Sequence, residues 1–419
     1  MEMEIQDSQI SLEEVSIQAE TAAAMMSKIR THMLAPSASK RTPVFRADEV
    51  AGLCGVSKSS FTHRLTSPTF KDLPSGTLSE TGRKRLFTLP EARAWIKSYR
   101  KNSLRPDGAE AITISIANFK GGTTKTTTAM TLAQGLTLLG HRVLVIDADP
   151  QASLTTFFGV LPDVEISEDQ TIFALIDGTQ TSIRPLIRET YWDGLDLVPA
   201  ASSLFGAEFL LPARQQEQKD FEFWSVLDLG IYDVRADYDV IIIDTPPALS
   251  YVTINALMAS NGIIMPLPPQ TLDYASAGQF WSLFAELTSN LLVERGTVKK
   301  FDFINILLSR VEGTAAASMV REWITQTYGS KVLPLEIPRT ATAALKSAEF
   351  GTVYDSEPAD AKDRTFKRAR DAYDLFVNHI DSSIRKAWDH QIQGMGGGTV
   401  PPPTPPKASP AGKAMAKAE

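Results

Sequence analysis

The sequence predicts an α/β protein in which a doubly wound, mainly parallel sheet is preceded by a small winged helix-turn-helix domain. From residue 111 onward, short runs rich in Val and Ile alternate with helical stretches, which is typical of a parallel sheet covered on both faces. Before them lies a basic block with the spacing of two helices joined by a tight turn. The chain has 419 residues, of which 43% are hydrophobic and 22% charged, so it is long enough to bury more than one core.

Changes in composition divide the chain into four parts. We expect an N-terminal helix and linker over residues 1–40, a winged helix-turn-helix DNA-binding domain over 41–105, an α/β domain over 110–390 and a disordered tail over 394–419. Apolar residues at roughly helical spacing predict the first helix, and the run APSAS after it predicts a linker. The tail is rich in Pro, Gly and Lys and lacks the apolar residues that a folded core requires.

Charge is distributed unevenly along the chain. The whole sequence has a net charge of −7, but residues 41–105 carry +8 and residues 106–393 carry −14. A compact basic block beside an acidic domain is typical of a nucleic-acid-binding module joined to a second activity, although a solvated basic surface has the same composition.

The composition excludes several classes of protein. Cys54 is the only cysteine, which excludes an intrachain disulfide and argues against a Cys-based zinc or iron–sulfur site. No apolar run approaches the roughly 20 residues of a membrane span, and the acidic N-terminus has no apolar segment typical of a secretory signal. We therefore expect a cytoplasmic protein that does not use a membrane.

The basic block predicts a DNA-binding module. Gly55 suits the turn between the two helices, and Ser57 can cap the second helix. The expected small core consists of Val50, Cys54, Val56, Phe61 and Leu65. The residues left largely outward on the candidate recognition helix are Lys58, Ser59, Ser60, Thr62, His63 and Arg64.

A hairpin and a closing helix complete the predicted module. Residues 77–88 alternate like a hairpin with a basic tip, and residues 89–99 predict a helix. Arg83, Lys84 and Arg85 would contact phosphate and add affinity and salt dependence rather than sequence choice. A small helical protein-binding domain is the alternative, but charge and pattern together favour DNA.

Six apolar runs predict the buried strands of the α/β domain. They are 111–117, 142–146, 195–198, 239–243, 262–267 and 303–308. Residues 127–139 and 276–292 have helical spacing and predict two of the helices between them.

A loop with two glycines, KGGTTKT over residues 120–126, lies directly after the first of these strands and before a helix. Backbone N–H groups of such a loop, together with the helix N-terminus, hold phosphate oxygens. Lys125 would then supply charge at the β/γ-phosphates, and the Thr126 hydroxyl would ligate Mg²⁺. Phe119 and Thr124 stand where the two outer glycines of the usual G-x-x-x-x-G-K-[ST] pattern belong, so the loop alone also fits a simple turn.

Three aspartates support the phosphate-loop interpretation. Asp147 and Asp149 lie at the end of the second strand, and Asp244 ends another buried strand. Because ligands of a parallel α/β sheet sit outside the carboxyl ends of its strands, these side chains and Lys125 are expected to converge at one edge. Carboxylates that face a hard cation and a phosphate chain are what Mg²⁺–nucleotide chemistry requires, whereas strand-end caps are the plainer alternative.

Taken together, these motifs resemble those of the ParA-type partition ATPases, in the deviant Walker A group of P-loop NTPases that includes MinD. The segments that carry the resemblance are KGGxxKTT from Lys120, DxDPQ from Asp147 and DTPP from Asp244, continuing in 253–257, 266–280, 337–339 and 349–351. The resemblance covers roughly residues 112–381 and implies a P-loop NTPase domain. With its N-terminal module, the chain is similar to the large plasmid-type members, which also repress their own operon.

The resemblance implies roles for the motif residues. Lys120 reaches across an ATP-sandwich homodimer to the partner's nucleotide, Lys125 binds the β/γ-phosphates, Thr126 and Asp244 serve Mg²⁺, Asp149 positions the attacking water and Asp147 supports the metal side. The nucleotide contacts extend over Lys120, Gly121, Gly122, Thr123, Thr124, Lys125, Thr126 and Thr127, with Arg310 and Pro338 near the base. The sequence departs from the family at Thr124, where most relatives have Gly. A Cβ there is expected to narrow the loop or to alter its backbone angles.

The implied function is an ATP-dependent cycle that segregates a plasmid or chromosome on the nucleoid. A ParB-type centromere-binding protein would stimulate hydrolysis, and DNA would be bound both at an operator and nonspecifically. Basic residues near the end of the domain, Lys367, Arg368 and Arg370, are candidates for the nonspecific contact, with an exposed charged helix face as the alternative. The competing function is a non-enzymatic DNA-binding repressor with a degenerate nucleotide loop. An iron-protein function would need cluster cysteines, and a MinD-type function would need an amphipathic C-terminal helix.

Overall fold

The N-terminal part of the chain forms one long helix followed by a small module with a three-stranded sheet. The computed structural model describes residues 10–33, 40–79, 82–293, 298–340, 350–355 and 363–395. The elements are α1 (Leu12–Met33), β1 (Val44–Arg46), α2 (Ala47–Leu53), α3 (Lys58–Leu65), β2 (Thr77–Leu78), β3 (Arg85–Thr88) and α4 (Leu89–Arg100). The predicted linker at 35–39 and nearly all of the predicted disordered tail lie outside the described residues.

The small module contains two short helices joined by a tight turn, followed by a hairpin and a closing helix. Gly55 has a φ of 70° in the turn, and the Ser57 hydroxyl accepts a hydrogen bond from the N–H of Ser60 at 3.2 Å. Phe61 is fully buried, with its ring centroid 4.9 Å from that of Trp95 in α4. Strand β2 pairs antiparallel with β3, and β1, which the sequence does not predict, pairs with the other edge of β3.

The remaining strands form an eight-stranded sheet among the described residues. They are β4 (Ile112–Ile116), β5 (Val143–Asp147), β6 (Arg188–Glu189), β7 (Leu195–Val198), β8 (Val240–Asp244), β9 (Gly262–Leu267), β10 (Phe303–Val311) and β11 (Val332–Pro338). Their order is β11-β10-β9-β4-β8-β5-β7-β6, and all pairs are parallel except β6–β7. This arrangement confirms the predicted doubly wound, mainly parallel sheet.

Helices cover both faces of this sheet. They are α5 (Lys125–Thr137), α6 (Ser153–Phe157), α7 (Pro162–Glu165), α8 (Phe173–Ile176), α9 (Ala207–Glu217), α10 (Val226–Gly230), α11 (Tyr251–Ala259), α12 (Thr271–Val293), α13 (Ala315–Tyr328) and α14 (Arg364–Met395). Side chains alternate between the faces: Val143 and Val145 pack with α5 and α14, whereas Leu144 and Ile146 pack on the opposite side. None of the described helices is both long enough and apolar enough to cross a bilayer.

Arg93 links the N-terminal module to the α/β domain through buried hydrogen bonds and an ion pair. Arg93 of α4 is 4% exposed and donates hydrogen bonds to the carbonyls of Thr137 at 3.1 Å and His141 at 2.8 Å, and it pairs with Asp193. Gly194 lies so close that a Cβ there would fall 2.1 Å from the guanidinium. Because the end of a helix carries partial negative charge, the buried cation also stabilises the C-terminus of α5.

Candidate functional site

The glycine-containing loop of the candidate site connects β4 to α5. Because β4, β8 and β5 are parallel neighbours, their carboxyl ends meet at one edge of the sheet. Asp147 and Asp244 are the last residues of β5 and β8 and lie opposite each other in register. The structure therefore brings the loop and the predicted carboxylates to the same edge.

Thr124 adopts the backbone conformation that a glycine would otherwise supply. Its φ is 74° and its ψ is 23°, close to the φ of 76° at Gly122. A residue with a Cβ in this left-handed region costs about 1–2 kcal/mol, yet the loop continues directly into α5. The Thr124 hydroxyl lies 3.5 Å from that of Thr128, one turn into the helix. The departure from the family pattern is therefore a local strain in a loop whose path remains suited to phosphate.

Lys125, the first residue of α5, is 7% exposed and turns back into the loop. Its ammonium donates a hydrogen bond to the carbonyl of Lys120 at 3.1 Å. Burial lowers the pKa of Lys125, and the nearby carboxylates of Asp244 and Asp149 act in the opposite direction. A positive charge is thus held between the loop and the acidic strand ends.

Asp147 is fully buried, and both of its carboxylate oxygens accept hydrogen bonds from the protein. Oδ2 accepts from the N–H and the hydroxyl of Thr155 at 2.8 and 2.7 Å, and Oδ1 accepts from the N–H of Asp149 at 3.2 Å. Burial raises the pKa of Asp147 to about 7 despite these hydrogen bonds. Since the contacts hold the turn that carries Asp149, this geometry favours a positioning role for Asp147 over direct support of a metal.

Asp149 lies two residues beyond the end of β5 and is 8% exposed. Its Oδ1 accepts a hydrogen bond from the N–H of Gln151 at 2.9 Å. Burial raises the pKa of Asp149, whereas this hydrogen bond and the charge of Lys125 lower it. The carboxylate is therefore anchored at one oxygen beside the loop, as a group that orients a water molecule should be.

Asp244 is a buried carboxylate whose two oxygens accept no hydrogen bond of normal geometry within the described part of the chain, although the Thr126 hydroxyl is close enough to act on it. Burial raises the pKa of Asp244 well above its usual range and Asp147 adds to the effect, while the Thr126 hydroxyl and Lys125 oppose it. A buried carboxylate without hydrogen-bond donors destabilises the folded protein unless a cation or water interacts with its oxygens. The two orphaned oxygens beside Thr126 fit Mg²⁺, which prefers oxygen ligands.

Lys120 has an acidic partner that the sequence does not identify. Its ammonium donates to Oδ2 of Asp273 at 2.9 Å, and its N–H donates to Oδ1 of Asn118 at 3.1 Å. Asp273 is 3% exposed in the first turn of α12. It falls within the segment 266–280 that resembles the family, but only the fold shows which residue of that segment meets Lys120.

The end of β10 also contacts the loop. Arg310 donates from Nη1 to the carbonyl of Gly122 at 2.9 Å, and the Ser309 hydroxyl donates to the carbonyl of Thr123 at 3.2 Å. Pro338, the other residue expected near the base, ends β11 opposite Val311. Ser309 escapes prediction because one serine in an apolar strand carries no sequence signal.

The predicted recognition helix α3 presents much of its outer face to solvent. Lys58, Ser59, Thr62 and His63 are exposed and, with Thr66, line a shallow concave surface. Ser60 is half-buried and its N–H is used in the cap on Ser57. The exposed part of the helix therefore retains the residue types that contact phosphate and base edges.

Two of the predicted DNA-contacting arginines of the module have partners within it. The guanidinium of Arg64 lies 4.8 Å from the ring centroid of Tyr99. Arg85 donates to the carbonyl of Gly76 at 3.4 Å, whereas Arg83 and Lys84 are exposed. Arg83 and Lys84, at the hairpin tip, are thus more available for contact with a phosphate backbone than Arg64 and Arg85 are.

The second basic run lies in the first turns of α14. Lys367 and Arg368 are exposed. Arg370 instead lies 4.1 Å over the ring of Tyr354 and pairs with Asp374 at 3.2 Å. Arg370 therefore contributes to packing of the helix, and the candidate surface is reduced to the two exposed residues.

Comparison with known proteins agrees with this geometry. A family model described as an AAA domain matches residues 111–294. A putative replication protein A of Rhizobium rhizogenes is 31% identical over 388 residues, which cover 88% of this chain and 94% of the relative. Protein SopA of Escherichia coli is 29% identical, covering 84% of this chain and 92% of the relative. The chromosome-partitioning ATPase Soj of Thermus thermophilus is 32% identical, covering 61% and 92%.

A solved structure described as a partition protein has the same fold. It superposes with a TM-score of 0.62 at 22% sequence identity and covers 92% of this chain and 98% of its own. The likeness extends over nearly the whole length of both chains, including the N-terminal elements that precede the matched AAA domain.

Proposed function

The chain belongs to the ParA-type family of partition ATPases, and we propose that it segregates a plasmid or chromosome through an ATP-dependent cycle of dimerisation and DNA binding. The observation that carries this proposal is the convergence of Lys125, Asp149 and Asp244 beside a loop whose backbone angles suit phosphate. In this proposal the protein acts in the cytoplasm, in association with nucleoid DNA.

The loop and the start of α5 would bind the phosphates. Lys125 would neutralise charge at the β/γ-phosphates, and the N–H groups of 121–127 would surround the phosphate oxygens. Thr126 and Asp244 would hold Mg²⁺, which offsets negative charge on the phosphates when bound. Because Mg²⁺ takes six oxygen ligands and these two residues supply only part of them, phosphate and water oxygens would complete the site.

Hydrolysis would depend on Asp149. A carboxylate anchored by the N–H of Gln151 at one oxygen can orient a water molecule with the other. Burial raises the pKa of Asp149, and the hydrogen bond from Gln151 and the positive charge of Lys125 act in the opposite direction, toward the carboxylate that would orient the water. Asp147, through its bond to the Asp149 N–H, would fix the turn that presents this carboxylate.

Lys120 would leave Asp273 when two ATP-bound copies meet. The ion pair between them joins a lysine side chain that is 37% exposed to an aspartate that is 4% exposed, so the lysine end can move while the acid stays in place. Reaching a partner's phosphate would exchange one anionic partner for another, which keeps the cost of the exchange small. This supports the two-copy site that the family resemblance implies.

DNA would be bound at two surfaces. The exposed residues of α3 are proposed to read an operator, with the hairpin tip in contact with its phosphates, and so to repress the chain's own operon. Lys367 and Arg368 are proposed to contribute to nonspecific binding in the ATP-bound dimer. A ParB-type protein would then stimulate hydrolysis and release the dimer from DNA.

The first test removes the phosphate-binding lysine. Lys125→Ala is expected to abolish ATP-dependent DNA binding, measured by fluorescence anisotropy with nonspecific duplex DNA. Lys299→Ala is a matched control. This lysine donates to the carbonyl of Met258 at 2.6 Å and lies before the amino-terminal end of β10, opposite the strand ends that carry the candidate site. The control should bind DNA as the unmodified protein does.

The second test removes the water-orienting carboxylate. Asp149→Ala is expected to keep ATP-dependent DNA binding while losing hydrolysis, so that the bound state persists. The measurements are phosphate release and dissociation from DNA after dilution. Undiminished ATP turnover in both Lys125→Ala and Asp149→Ala would refute the site.

The competing function, a repressor with a degenerate loop, predicts DNA binding that is independent of ATP. The feature that favours it in the sequence is Thr124. The left-handed backbone of Thr124 weakens that support, because these are angles that a glycine adopts readily. Equal operator binding with and without Mg²⁺–ATP, together with no turnover, would nevertheless select the repressor.

A further inference from the structure

Strand β10 contains one extra residue just before it reaches the phosphate loop. Leu308 pairs with Glu336 and Val311 with Pro338, so three steps on β10 are matched by two on β11. Arg310 lies within this bulge and has a φ of 51°. A bulge re-aims side chains, and the left-handed backbone of a residue with a Cβ costs free energy that another contact must offset.

The offsetting contacts are made to the loop. The Arg310 guanidinium donates to the carbonyl of Gly122 at 2.9 Å, and the hydroxyl of Ser309, which is 1% exposed, donates to the carbonyl of Thr123 at 3.2 Å. These two acceptors belong to consecutive peptide units. The bulge therefore holds two neighbouring peptide planes from outside the loop.

In a trans peptide unit the C=O and the N–H point in opposite directions. Holding the carbonyl of Gly122 toward Arg310 turns the N–H of Thr123 away from β10, and holding the carbonyl of Thr123 does the same for the N–H of Thr124. Successive N–H groups turned to one side are what binds an anion in a phosphate loop. We infer that Ser309 and Arg310 are positioning residues that orient these two N–H groups for nucleotide phosphates, an inference that rests on the ATP site proposed above.

This role differs from contact with the base. A residue that orients N–H groups for phosphate affects every nucleotide alike, whereas a residue that touches the base changes the preference for one base over another. It also affects binding of the ground state, so it raises KM more than it lowers kcat. Both differences can be measured on the full chain.

The experiment measures Kd for Mg²⁺–ATP, Mg²⁺–GTP and Mg²⁺–ADP by titration calorimetry, with kcat and KM for ATP. Loss of a single neutral hydrogen bond predicts about fivefold weaker binding for Ser309→Ala, and loss of a charged one predicts about tenfold for Arg310→Met. The ratio of ATP to GTP affinity should stay unchanged in both. Arg310→Lys, which keeps a donor, should recover most of the loss.

The control is Arg321→Met. This arginine of α13 pairs with Glu336 of β11 at 2.7 Å, in the same part of the sheet but without an observed contact to the loop. It should leave all three nucleotide affinities unchanged. A fall in thermal stability of the nucleotide-free protein similar to that of the Arg310 variant would show that this comparison is matched.

Two results would overturn the inference. One is unchanged nucleotide affinity in Ser309→Ala and Arg310→Met; the other is an altered ATP-to-GTP ratio, which would place Arg310 at the base. Failure of the proposed function has a different signature: the unmodified protein and Lys125→Ala would then bind ATP equally or not at all. In that case the inference falls together with the site.

Discussion

At the residue scale, Thr124 shows what happens when a threonine replaces the glycine of a phosphate loop. The sequence leaves open whether a Cβ alters the path of the loop or only strains it. The structure supports strain, since Thr124 keeps the left-handed backbone and its hydroxyl points toward Thr128. Strain is stored in the folded protein and need not reduce the fit of a ligand.

Thr124→Gly should therefore change stability more clearly than binding. Relief of the left-handed strain is worth about 1–2 kcal/mol, and the added chain entropy of glycine offsets about 0.5–1 kcal/mol of it. We expect a small net stabilisation in urea unfolding and less than a threefold change in ATP affinity. A tenfold gain in affinity would mean that the threonine obstructs the site.

Asp147 predicts how the stability of the nucleotide-free protein depends on pH. Burial raises the pKa of Asp147 to about 7, whereas an aspartate in the unfolded chain titrates near pH 3.9. The folded state therefore binds an extra proton between these two pH values. The stability that this proton contributes is full below about pH 3.9 and is lost as the pH rises toward and through 7. Asp244 shifts in the same direction.

We accordingly expect the unfolding free energy to fall between about pH 4 and pH 7, by up to about 1.4 kcal/mol per pH unit for one such group, and to level off above that range. The measurement is urea unfolding across this range. Asp147→Asn, which cannot ionise, should show a shallower decline. An equally steep decline in this variant would exclude Asp147 as the source.

Much of the site follows from the sequence, and the missing part has a physical reason. Lys125, Asp149 and Asp244 are predictable because a phosphate loop and the ends of parallel strands have fixed geometric relations. Ser309 and Asp273 are not, because their roles depend on which side chains cross from neighbouring elements to the loop. The specific partners of Arg64 and Arg370 are likewise set by tertiary packing, so charge alone does not tell a structural arginine from a DNA contact.

At the scale of elements, the short runs dominated by Val, Ile, Leu and Met are the strands that the sequence predicts well. The predicted runs 195–198 and 262–267 match β7 and β9 residue for residue. Strand β11 escapes prediction because its sequence, VLPLEIP, contains a charge and two prolines, which an edge strand tolerates. Strand β6 has two residues, too few for any periodicity.

The attachment of α4 to α5 predicts a large effect of a single substitution. Arg93→Met leaves the carbonyls of Thr137 and His141 without their donor and Asp193 without its cation. Each buried carbonyl left without its donor costs about 1–3 kcal/mol, whereas loss of the ion pair adds little because the Asp193 side chain is 40% exposed. The loss should appear in urea unfolding as a lower midpoint or as two separate transitions.

Arg184→Met is the comparison for this variant. Arg184 pairs with Asp233 and Asp237 at an exposed position, where an ion pair contributes at most about 1 kcal/mol. If both substitutions lowered stability equally, the contacts of Arg93 would not be what fastens the module.

At the scale of the whole molecule, opposite charges are segregated into successive parts of the chain. The segment 41–105 carries +8 and the segment 106–393 carries −14. An acidic domain repels DNA over distances near the Debye length of about 10 Å, so the proposed operator contact is expected at the basic module. This arrangement would let a chain with a net charge of −7 bind a polyanion.

The salt dependence of operator binding tests this arrangement. Lys84→Ala should reduce the slope of log K against log salt by about 0.9, as expected for loss of one phosphate contact. Lys71→Ala, which removes an exposed lysine of the same module outside the proposed surface, should leave the slope unchanged. Equal slopes for all three proteins would place DNA elsewhere.

Helix α5 connects the phosphate loop to the N-terminal module. It starts at Lys125 in the phosphate loop and ends where Arg93 holds the carbonyl of Thr137, and its 13 residues span about 20 Å. The proposed nucleotide site and the proposed DNA-binding module thus contact opposite ends of one helix. A rotation of α5 on nucleotide binding would also move Thr137 and the module attached there, and this would couple the proposed segregation to the proposed repression.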